Sequence, residues 1–348
     1  MKSPRIFFVM GAGGVGKTTY SAALAARLAM ESAASEPVHV LLITVDPARR
    51  LASAMGVVAN GNDIVKVRSS DGIEFSVSML DAPDAWDSLI RRIAPDEATA
   101  SRVPSNGLYR NITGRFVNSH DYIAIERLWE VVESGEFDII VVDTPPSRNA
   151  LSVLDAAERM REFFSSRLLR WLTVPATNRL IGLTSRPFFA LADRVLGARF
   201  LGDIAEFFAL FRTMEPTFTA HASEVGKLMR SEGTSFVVVT TSDKSPVEEA
   251  NYLADELRRR NFGLGMIVVN RTIDGAAVNE ARRAQTADLP AALERIVSDV
   301  VAEADREDAV ASELAHRHGC SVVRVGESTE PVNDVATVCR LAGSLVMP

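Results

Sequence analysis

Cysteine is scarce in this 348-residue sequence, which contains only Cys320 and Cys339. Two thiols cannot form a disulfide framework or a thiolate metal site with the usual number of ligands. Disulfide-stabilised miniproteins are therefore excluded, and the reducing cytoplasm is the expected location. The histidine pair His316 and His318 stands near a predicted helix end, where such pairs are usually solvated. We accordingly predict no zinc site.

Long apolar runs and an excess of basic residues are also missing. No stretch approaches the roughly 18 consecutive apolar residues of a membrane span. The first apolar run, residues 6–10, ends in a glycine-rich turn too early for a signal peptide, so no targeting segment is expected. Acidic residues outnumber basic ones by 45 to 38, a formal net charge of −7. This balance argues against duplex-DNA binding, which needs a basic surface.

The residues that are present describe an ordinary globular protein, with 47% hydrophobic and 24% charged side chains. Apolar runs alternate with segments of helical periodicity, which predicts a doubly wound α/β fold. Several runs are apolar on both faces, as in parallel strands covered by helices on each side. The predicted strands are 5–10, 38–45, 73–79, 137–142, 235–241, 264–270 and 321–325, and the predicted helices are 18–30, 120–134, 246–260 and 331–346.

Residues 151–231 differ from the rest, because they contain helical patterns and no predicted strand. Within them, residues 163–218 hold nine of the 16 phenylalanines, and seven arginines against four acidic residues. We predict a helical subdomain at 151–231, inserted into an α/β domain of residues 1–150 and 232–348. Its phenylalanines form either ordinary core, the more common case, or a groove for an apolar helix. One predicted helix face carries Ile204, Phe207, Phe208 and Phe211.

The strongest motif is GAGGVGKT at residues 11–18, which matches G-x-x-x-x-G-K-[ST] between a predicted strand and a predicted helix. Glycines let successive N–H groups surround a phosphate, and the helix N-terminus adds partial positive charge. Lys17 is predicted to reach the β- and γ-phosphates, Thr18 to bind Mg²⁺, and Thr19 to contact the α-phosphate. The predicted nucleotide-binding residues of this loop are Gly11, Gly13, Gly14, Val15, Gly16, Lys17, Thr18 and Thr19.

Two aspartates, Asp46 and Asp143, each follow a predicted buried strand. In parallel sheets such positions face the ligand crevice. Asp46 starts the segment Asp-Pro-Ala-Arg-Arg, which by itself would be interpreted as a turn. Behind a phosphate loop, Asp46 is predicted to orient or deprotonate the attacking water and to hold Mg²⁺ together with Thr18 and Asp143. The loop at 147–149 is predicted to sense the γ-phosphate and to couple it to the helical segment.

In this order along the chain, the motifs resemble those of the ArsA-type ATPases, which include the arsenite-pump ATPase and the tail-anchored-protein targeting ATPases. The resemblance covers nearly the whole chain and implies Mg-ATP hydrolysis by a dimer. It also implies that Asn270 recognises adenine, that Asp243 faces the partner's nucleotide, and that the loop ending at Pro331 flanks the base. The motifs that carry it are the phosphate loop, Asp46-Pro47-Ala48, Asp143-Thr144-Pro145-Pro146 and Val268-Val269-Asn270-Arg271.

The sequence departs from that family at several positions. A family lysine that reaches across the dimer to the partner's phosphates is replaced by Ala12, which cannot supply the charge. Arg49, Arg50, Arg148 or a partner subunit are candidates for this cation. Because the two aspartate motifs also differ from those of the best-known members, we predict a bacterial ArsA-like branch. Since the chain lacks a cysteine cluster to bind arsenite, an arsenite-pump role is disfavoured.

Three functions are therefore compared. The first is an ATP-hydrolysing dimeric switch that moves the helical subdomain. The second is a chaperone in which nucleotide gates a hydrophobic groove for an apolar client helix or membrane protein at residues 163–218. The third is a weakly active subunit of a heterodimer, against which the intact Lys17, Thr18, Asp46 and Asp143 count. The first is the principal prediction.

Overall fold

The computed structural model describes residues 4–32, 38–45, 55, 62–107, 109, 117–145, 155, 159, 162, 198–285 and 289–345. The chain divides into two compact units. The first comprises Met1–Leu80, Val131–Leu151 and Leu228–Pro348, and the second comprises Asp81–Glu130 and Ser152–Lys227. None of the described helices combines the length and the apolarity that crossing a bilayer requires.

The first unit is built on an eight-stranded sheet in the order β3-β4-β2-β5-β1-β6-β7-β8. Seven strands run parallel, and β3 alone pairs antiparallel, with β4. The predicted α/β fold with a mostly parallel sheet is thus confirmed. The strands are β1 Arg5–Gly11, β2 Val40–Thr44, β3 Ile64–Arg68, β4 Glu74–Met79, β5 Ile139–Asp143, β6 Thr234–Thr240, β7 Leu264–Thr272 and β8 Ser321–Gly326.

Ten helices lie in the part of the chain that the structure describes. Helix α1 packs on the sheet and against α10, and α7 and α9 pack on strands of the second half of the sheet. Helices therefore cover the central strands, so that β2 and β5 are buried along their whole length. The helices are α1 Lys17–Ser32, α2 Ala82–Ile93, α3 Glu97–Ser105, α4 Val117–Ser134, α5 Ala198–Thr213, α6 Glu215–Met229, α7 Lys244–Arg259, α8 Gly275–Ala284, α9 Ala291–His318 and α10 Val335–Ser344.

The seven predicted strands all form, with ends that differ by at most two residues from the prediction. Strand β3 was not predicted, because only Val67 of its five residues is buried and the segment therefore lacks an apolar run. The helix predicted at 331–346 begins later, at Val335, since the Asp334 carboxylate accepts the N–H of Thr337 and caps the helix there. Helices α2, α3 and α8 were also missed, and of α9 only the end near His316 and His318 was predicted.

The second unit has an aromatic core of its own. The ring of Phe211 lies 4.9 Å from that of Phe207 and 5.0 Å from that of Phe218, which in turn lies 5.8 Å from Tyr122. Phe207, Phe211 and Phe218 are buried, whereas Phe208 is half-buried. In residues 206–218, the phenylalanines therefore mainly form core, the commoner of the two alternatives.

The predicted boundaries of the helical insertion, residues 151–231, stay a prediction. The second unit contains most of that range, but it also contains residues 81–130, which the sequence assigned to the α/β domain. Much of the phenylalanine-rich segment, residues 163–197, lies outside the described residues.

Candidate functional site

The predicted phosphate loop lies at the carboxyl end of the central strand β1. This strand ends at Gly11 and helix α1 begins at Lys17, so residues 12–16 connect them. Strand β1 has β5 on one side and β6 on the other, which is where the strand order reverses. In open α/β sheets, ligands bind in the crevice at this position. The loop therefore occupies the expected binding crevice of the fold.

Two glycines in the loop stand where no side chain fits. A Cβ atom on Gly11 would lie 2.1 Å from the carbonyl oxygen of Val239, and one on Gly16 would lie 2.4 Å from Nδ2 of Asn270. Gly16 also has a φ of +90°, in the region that L-residues rarely adopt. Gly14 has a φ of +84° but open space around its Cβ position. The loop backbone is thus packed closely at both ends and open in its middle.

Lys17 is buried, with 7% of its surface exposed, and its Nζ donates to the carbonyl oxygen of Ala12 at 2.8 Å. The ammonium group therefore lies directly over the loop. Tyr20 N–H donates to the carbonyl oxygen of Gly16, so Thr18 and Thr19 belong to the first turn of α1. In a first turn the N–H groups have no acceptor inside the helix and attract anions. These features fit the phosphates of a nucleotide.

Asp143 ends strand β5 and is fully buried. Thr44 Oγ1 donates to its Oδ2 at 3.0 Å, and Ser21 Oγ lies 3.4 Å from its Oδ1. The next residue, Thr144, donates its hydroxyl to the carbonyl oxygen of Val9 at 2.8 Å and so ties the end of β5 to β1. Carboxylate and hydroxyl oxygens are the ligand type that Mg²⁺ prefers, directly or through water. The oxygen donors around Asp143 therefore fit this metal.

Thr44 and Ser21 are site residues that the sequence analysis missed. Thr44 is the polar end of the apolar strand VLLIT, and Ser21 lies four residues after Lys17 on the same side of α1. Neither position stands out in the sequence, because polar residues often end strands and often occur within helices. Only their positions beside Asp143 distinguish them.

Asp46, the predicted catalytic residue, lies outside the described residues, as do Arg49, Arg50 and residues 147–149. The preceding residue, Val45, donates its N–H to the carbonyl oxygen of Asp143 at 2.9 Å. The chain therefore reaches the predicted metal-binding aspartate immediately before Asp46. The catalytic role of Asp46 stays a prediction.

Asn270 lies on β7, two strands away from β1, and contacts the phosphate loop directly. Its Nδ2 donates to the carbonyl oxygen of Val15 at 2.7 Å. The next residue, Arg271, has a φ of +59° and is the extra residue of an irregularity in the pairing of β7 with β8. The residue predicted to bind adenine therefore lies beside the phosphate loop, and a bulge directly follows it.

The remaining predicted residues lie at the same carboxyl edge of the sheet. Asp243 is the exposed N-cap residue of α7, three residues after β6, and accepts the Thr241 hydroxyl at 2.9 Å. Pro331 is exposed in the loop between β8 and α10. Their roles toward the nucleotide stay predictions.

A cavity of about 620 Å³ opens beside the end of β7. The turn between β7 and α8, the loop after β8 and helix α10 form its walls, and the side chains that line it include Asp274, Arg324, Glu330 and Arg340. Arg340 pairs with Glu330 at 2.7 Å and Arg324 pairs with Asp308. The loop predicted to flank the base therefore borders a polar cavity.

The histidine prediction was wrong at one position. His316 is exposed, but His318 is buried and its Nε2 lies 2.7 Å from Oδ1 of Asn251. The C-terminal turn of α9 lies against α7 at this point, and the sequence around His318 has no apolar signal of that contact. Cys339 is buried in the core and Cys320 is half-buried, and burial raises the pKa of both thiols.

Comparisons with known proteins agree with this geometry. A family model described as "Anion-transporting ATPase" matches residues 4–300. An "ATPase get3" of Schizosaccharomyces japonicus is 29% identical over 269 residues, which cover 76% of this chain and 74% of that protein. An "ATPase ARSA1" of Chlamydomonas reinhardtii is 24% identical over 315 residues, which cover 85% of this chain and 38% of that protein. These relatives are eukaryotic, so the bacterial branch stays a prediction.

Proposed function

The chain belongs to the anion-transporting ATPase family, and we propose that it binds Mg-ATP at the phosphate loop and hydrolyses it as a dimeric switch. This proposal rests on the arrangement of Lys17, Asp143 and the first turn of α1. All three lie at the carboxyl edge of the sheet, where the strand order reverses. Each of the three elements has a role in phosphoryl transfer, and all three lie in the first unit.

The residues of the chain divide the chemistry among them. The Lys17 ammonium and the N-terminus of α1 stabilise the charge that develops on the phosphates. The hydroxyl of Thr18 and the carboxylate of Asp143 would hold Mg²⁺, which supplies further charge neutralisation when it is bound. Asp46 orients the attacking water or takes its proton. Because Asp143 is held by hydroxyl groups on two other elements, its position is set before ligands bind.

The switch is supported by the course of the chain after Asp143. The second unit resumes at Ser152, nine residues further on. A short connection of this kind can transmit a change at the γ-phosphate to the helices. We propose that hydrolysis changes the arrangement of the second unit and that this change is the output of the protein.

The dimer in this proposal lacks the cross-subunit lysine of the family. Ala12, at that position, is 7% exposed and packs with the core residues beneath the loop. The missing cation therefore comes from elsewhere in the dimer, and Arg49, Arg50 and Arg148 are the proposed sources.

The test is the steady-state rate of ATP hydrolysis with Mg²⁺, measured against protein concentration. We expect the specific activity to rise with concentration, because two subunits complete the site. Lys17→Ala and Asp46→Asn should lower it by about 100-fold or more, the usual cost of removing a group that stabilises the transition state. Lys66→Ala, which changes an exposed lysine on β3, is the matched control and should leave the rate unchanged.

Three outcomes would contradict the proposal in whole or in part. Turnover that survives Lys17→Ala would show that the phosphate loop is not the site of hydrolysis. Full specific activity at concentrations where light scattering shows the chain to be a monomer would exclude activation by dimerisation. Tight ATP binding without turnover at any concentration would support the third function, a subunit of a heterodimer.

Nucleotide-gated binding of an apolar client helix is the second candidate. The resemblance to targeting ATPases and the net-basic, phenylalanine-rich sequence at 163–218 support it. We rank it second because Phe207, Phe211 and Phe218 are buried within the second unit, which leaves them unavailable to a client.

A further inference from the structure

The side chain of Asn270 joins strand β7 to the phosphate loop. Strand β6 lies between β7 and β1, and the amide reaches past it to donate to the carbonyl oxygen of Val15 at 2.7 Å. The same nitrogen stands 2.4 Å from the position of a Cβ on Gly16. Asn270 therefore bonds one residue of the loop and packs against the backbone of the next. A residue that served only the base would need neither contact.

The end of β7 is built to hold this side chain in place. Arg271 adopts a φ of +59°, which strains an L-residue and persists only where the surroundings impose it. Beyond it, Thr272 accepts the N–H of Glu327 at 2.7 Å, and the buried carboxylate of Glu307 accepts the N–H of Ile273 at 3.1 and 3.2 Å. Bulges of this kind re-aim side chains near functional sites. Here the bulge directly follows Asn270.

The bond to Val15 determines where the next N–H group points. A trans peptide is planar, with its C=O and N–H on opposite sides. Because the carbonyl of Val15 points at Asn270, the N–H of Gly16 points away from Asn270. In a glycine-rich loop of this type the backbone N–H groups surround the phosphate. The amide of Asn270 thus controls the orientation of one of the phosphate-binding groups.

The amide group has enough capacity for two tasks. An asparagine side chain offers two N–H donors and an oxygen with two lone pairs. The bond to Val15 uses one N–H, and the second N–H and the oxygen can contact a base at the same time. The bond to Val15 and the contact with the base would be made by the same planar amide group. Each contact would therefore hold the amide in the orientation that the other one needs.

We propose that Asn270 is a positioning residue for the phosphate loop, which orients the Gly16 N–H group and so couples base recognition to phosphate binding. This inference rests on the proposed nucleotide site. It predicts that Asn270 affects the binding of phosphate ligands even when they have no base.

The experiment compares Mg-ATP with inorganic triphosphate plus Mg²⁺, which lacks both base and ribose. Calorimetry gives the affinities of wild type, Asn270→Ala and Asn270→Asp for each probe. We expect Asn270→Ala to weaken triphosphate binding by about 3- to 10-fold, the effect of one hydrogen bond. Asn270→Asp should weaken it more, because its carboxylate faces the Val15 carbonyl. Gln285→Ala, an exposed amide at the end of α8 and away from the cavity, is the matched control.

A second measurement needs no ligand and confirms that the variants are folded. Hydrogen exchange of a peptide that covers residues 11–19 should be faster in Asn270→Ala than in wild type, while peptides from β5 and β6 exchange as before. Faster exchange in the loop alone is the expected sign that the hydrogen bond between Asn270 and Val15 has been lost.

The outcomes separate the two proposals. Triphosphate affinity and loop exchange that stay unchanged in Asn270→Ala and Asn270→Asp, with weaker ATP binding, would overturn this inference and leave the nucleotide site intact. A wild-type protein that binds neither probe would overturn the proposed function itself and this inference with it.

Discussion

At the scale of single residues, the space around the backbone of the phosphate loop differs from one glycine to the next. Gly16 combines a φ of +90° with the amide of Asn270 in the place of a side chain. Gly14 has nearly the same φ, +84°, but no atom within 4 Å of its Cβ position. A side chain at Gly14 would therefore cause backbone strain only, whereas one at Gly16 would cause both backbone strain and a steric clash.

Alanine at each of these two positions tests that difference. Gly14→Ala carries the strain of a positive φ, about 1–2 kcal/mol of unfolding free energy. Gly16→Ala carries this strain and also displaces Asn270, so we expect a larger loss of stability and at least tenfold weaker ADP binding. Denaturant titration and calorimetry measure the two effects. Equal losses in both variants would contradict the close packing of Asn270 on Gly16.

At the scale of elements, the contact between α7 and α9 contains a buried histidine. Nε2 of His318 lies 2.7 Å from Oδ1 of Asn251, and Arg258 on α7 donates to the His318 carbonyl oxygen at 2.5 Å. Burial lowers the pKa of His318, Asp255 opposes this effect, and the charges of Arg317 and Arg258 add to it. The contact therefore favours the neutral imidazole.

This contact predicts that stability falls in mild acid. The pKa of His318 lies near its ordinary value of 6.5 in the unfolded chain and below it in the folded one. Above pH 6.5 both forms are neutral, whereas below it the unfolded chain takes up the proton first and unfolding becomes easier. His318→Gln should remove this part of the pH dependence of the unfolding free energy. His316→Gln, on the same helix turn but exposed, should retain it, and identical profiles in the two variants would contradict the assignment.

At the scale of the whole molecule, the chain divides into two compact units. The first is the sheet with its helices, which carries the proposed nucleotide site, and the second contains the aromatic cluster around Phe218. A change in one core should therefore alter its own unit most.

Phe218→Ala tests this separation. Phe218 is fully buried between Phe211, Tyr122 and Trp86, so its loss should cost about 3–5 kcal/mol of unfolding free energy in the second unit. Phe208→Ala, at a half-buried position, should cost clearly less. ATP affinity at 25 °C should remain near that of wild type in both. Loss of ATP binding in folded Phe218→Ala would show that the two units are not independent in this respect.

Much of the molecule follows from local sequence. The continuous apolar runs of β1, β2, β5 and β6 predict buried parallel strands, because burial on both faces requires apolar residues at every position. The loop at residues 11–18 predicts its own place between a strand and a helix, since glycine spacing, lysine and threonine lie within eight consecutive residues. The position of Asp143 at the carboxyl end of a strand follows from the apolar run that precedes it.

The tertiary structure alone decided the rest, because those features join residues that are far apart in the chain. Asn270 bonds Val15 across 255 positions, and Thr44 bonds Asp143 across 99. His318 is buried by α7, not by its own sequence neighbours, and β3 forms because β4 offers it an open edge. Hydrogen bonds between such residues depend on chain topology, whereas burial along a strand and tight turns depend on neighbouring residues. The sequence by itself therefore determined the fold class and the phosphate loop, and folding determined what holds that loop in place.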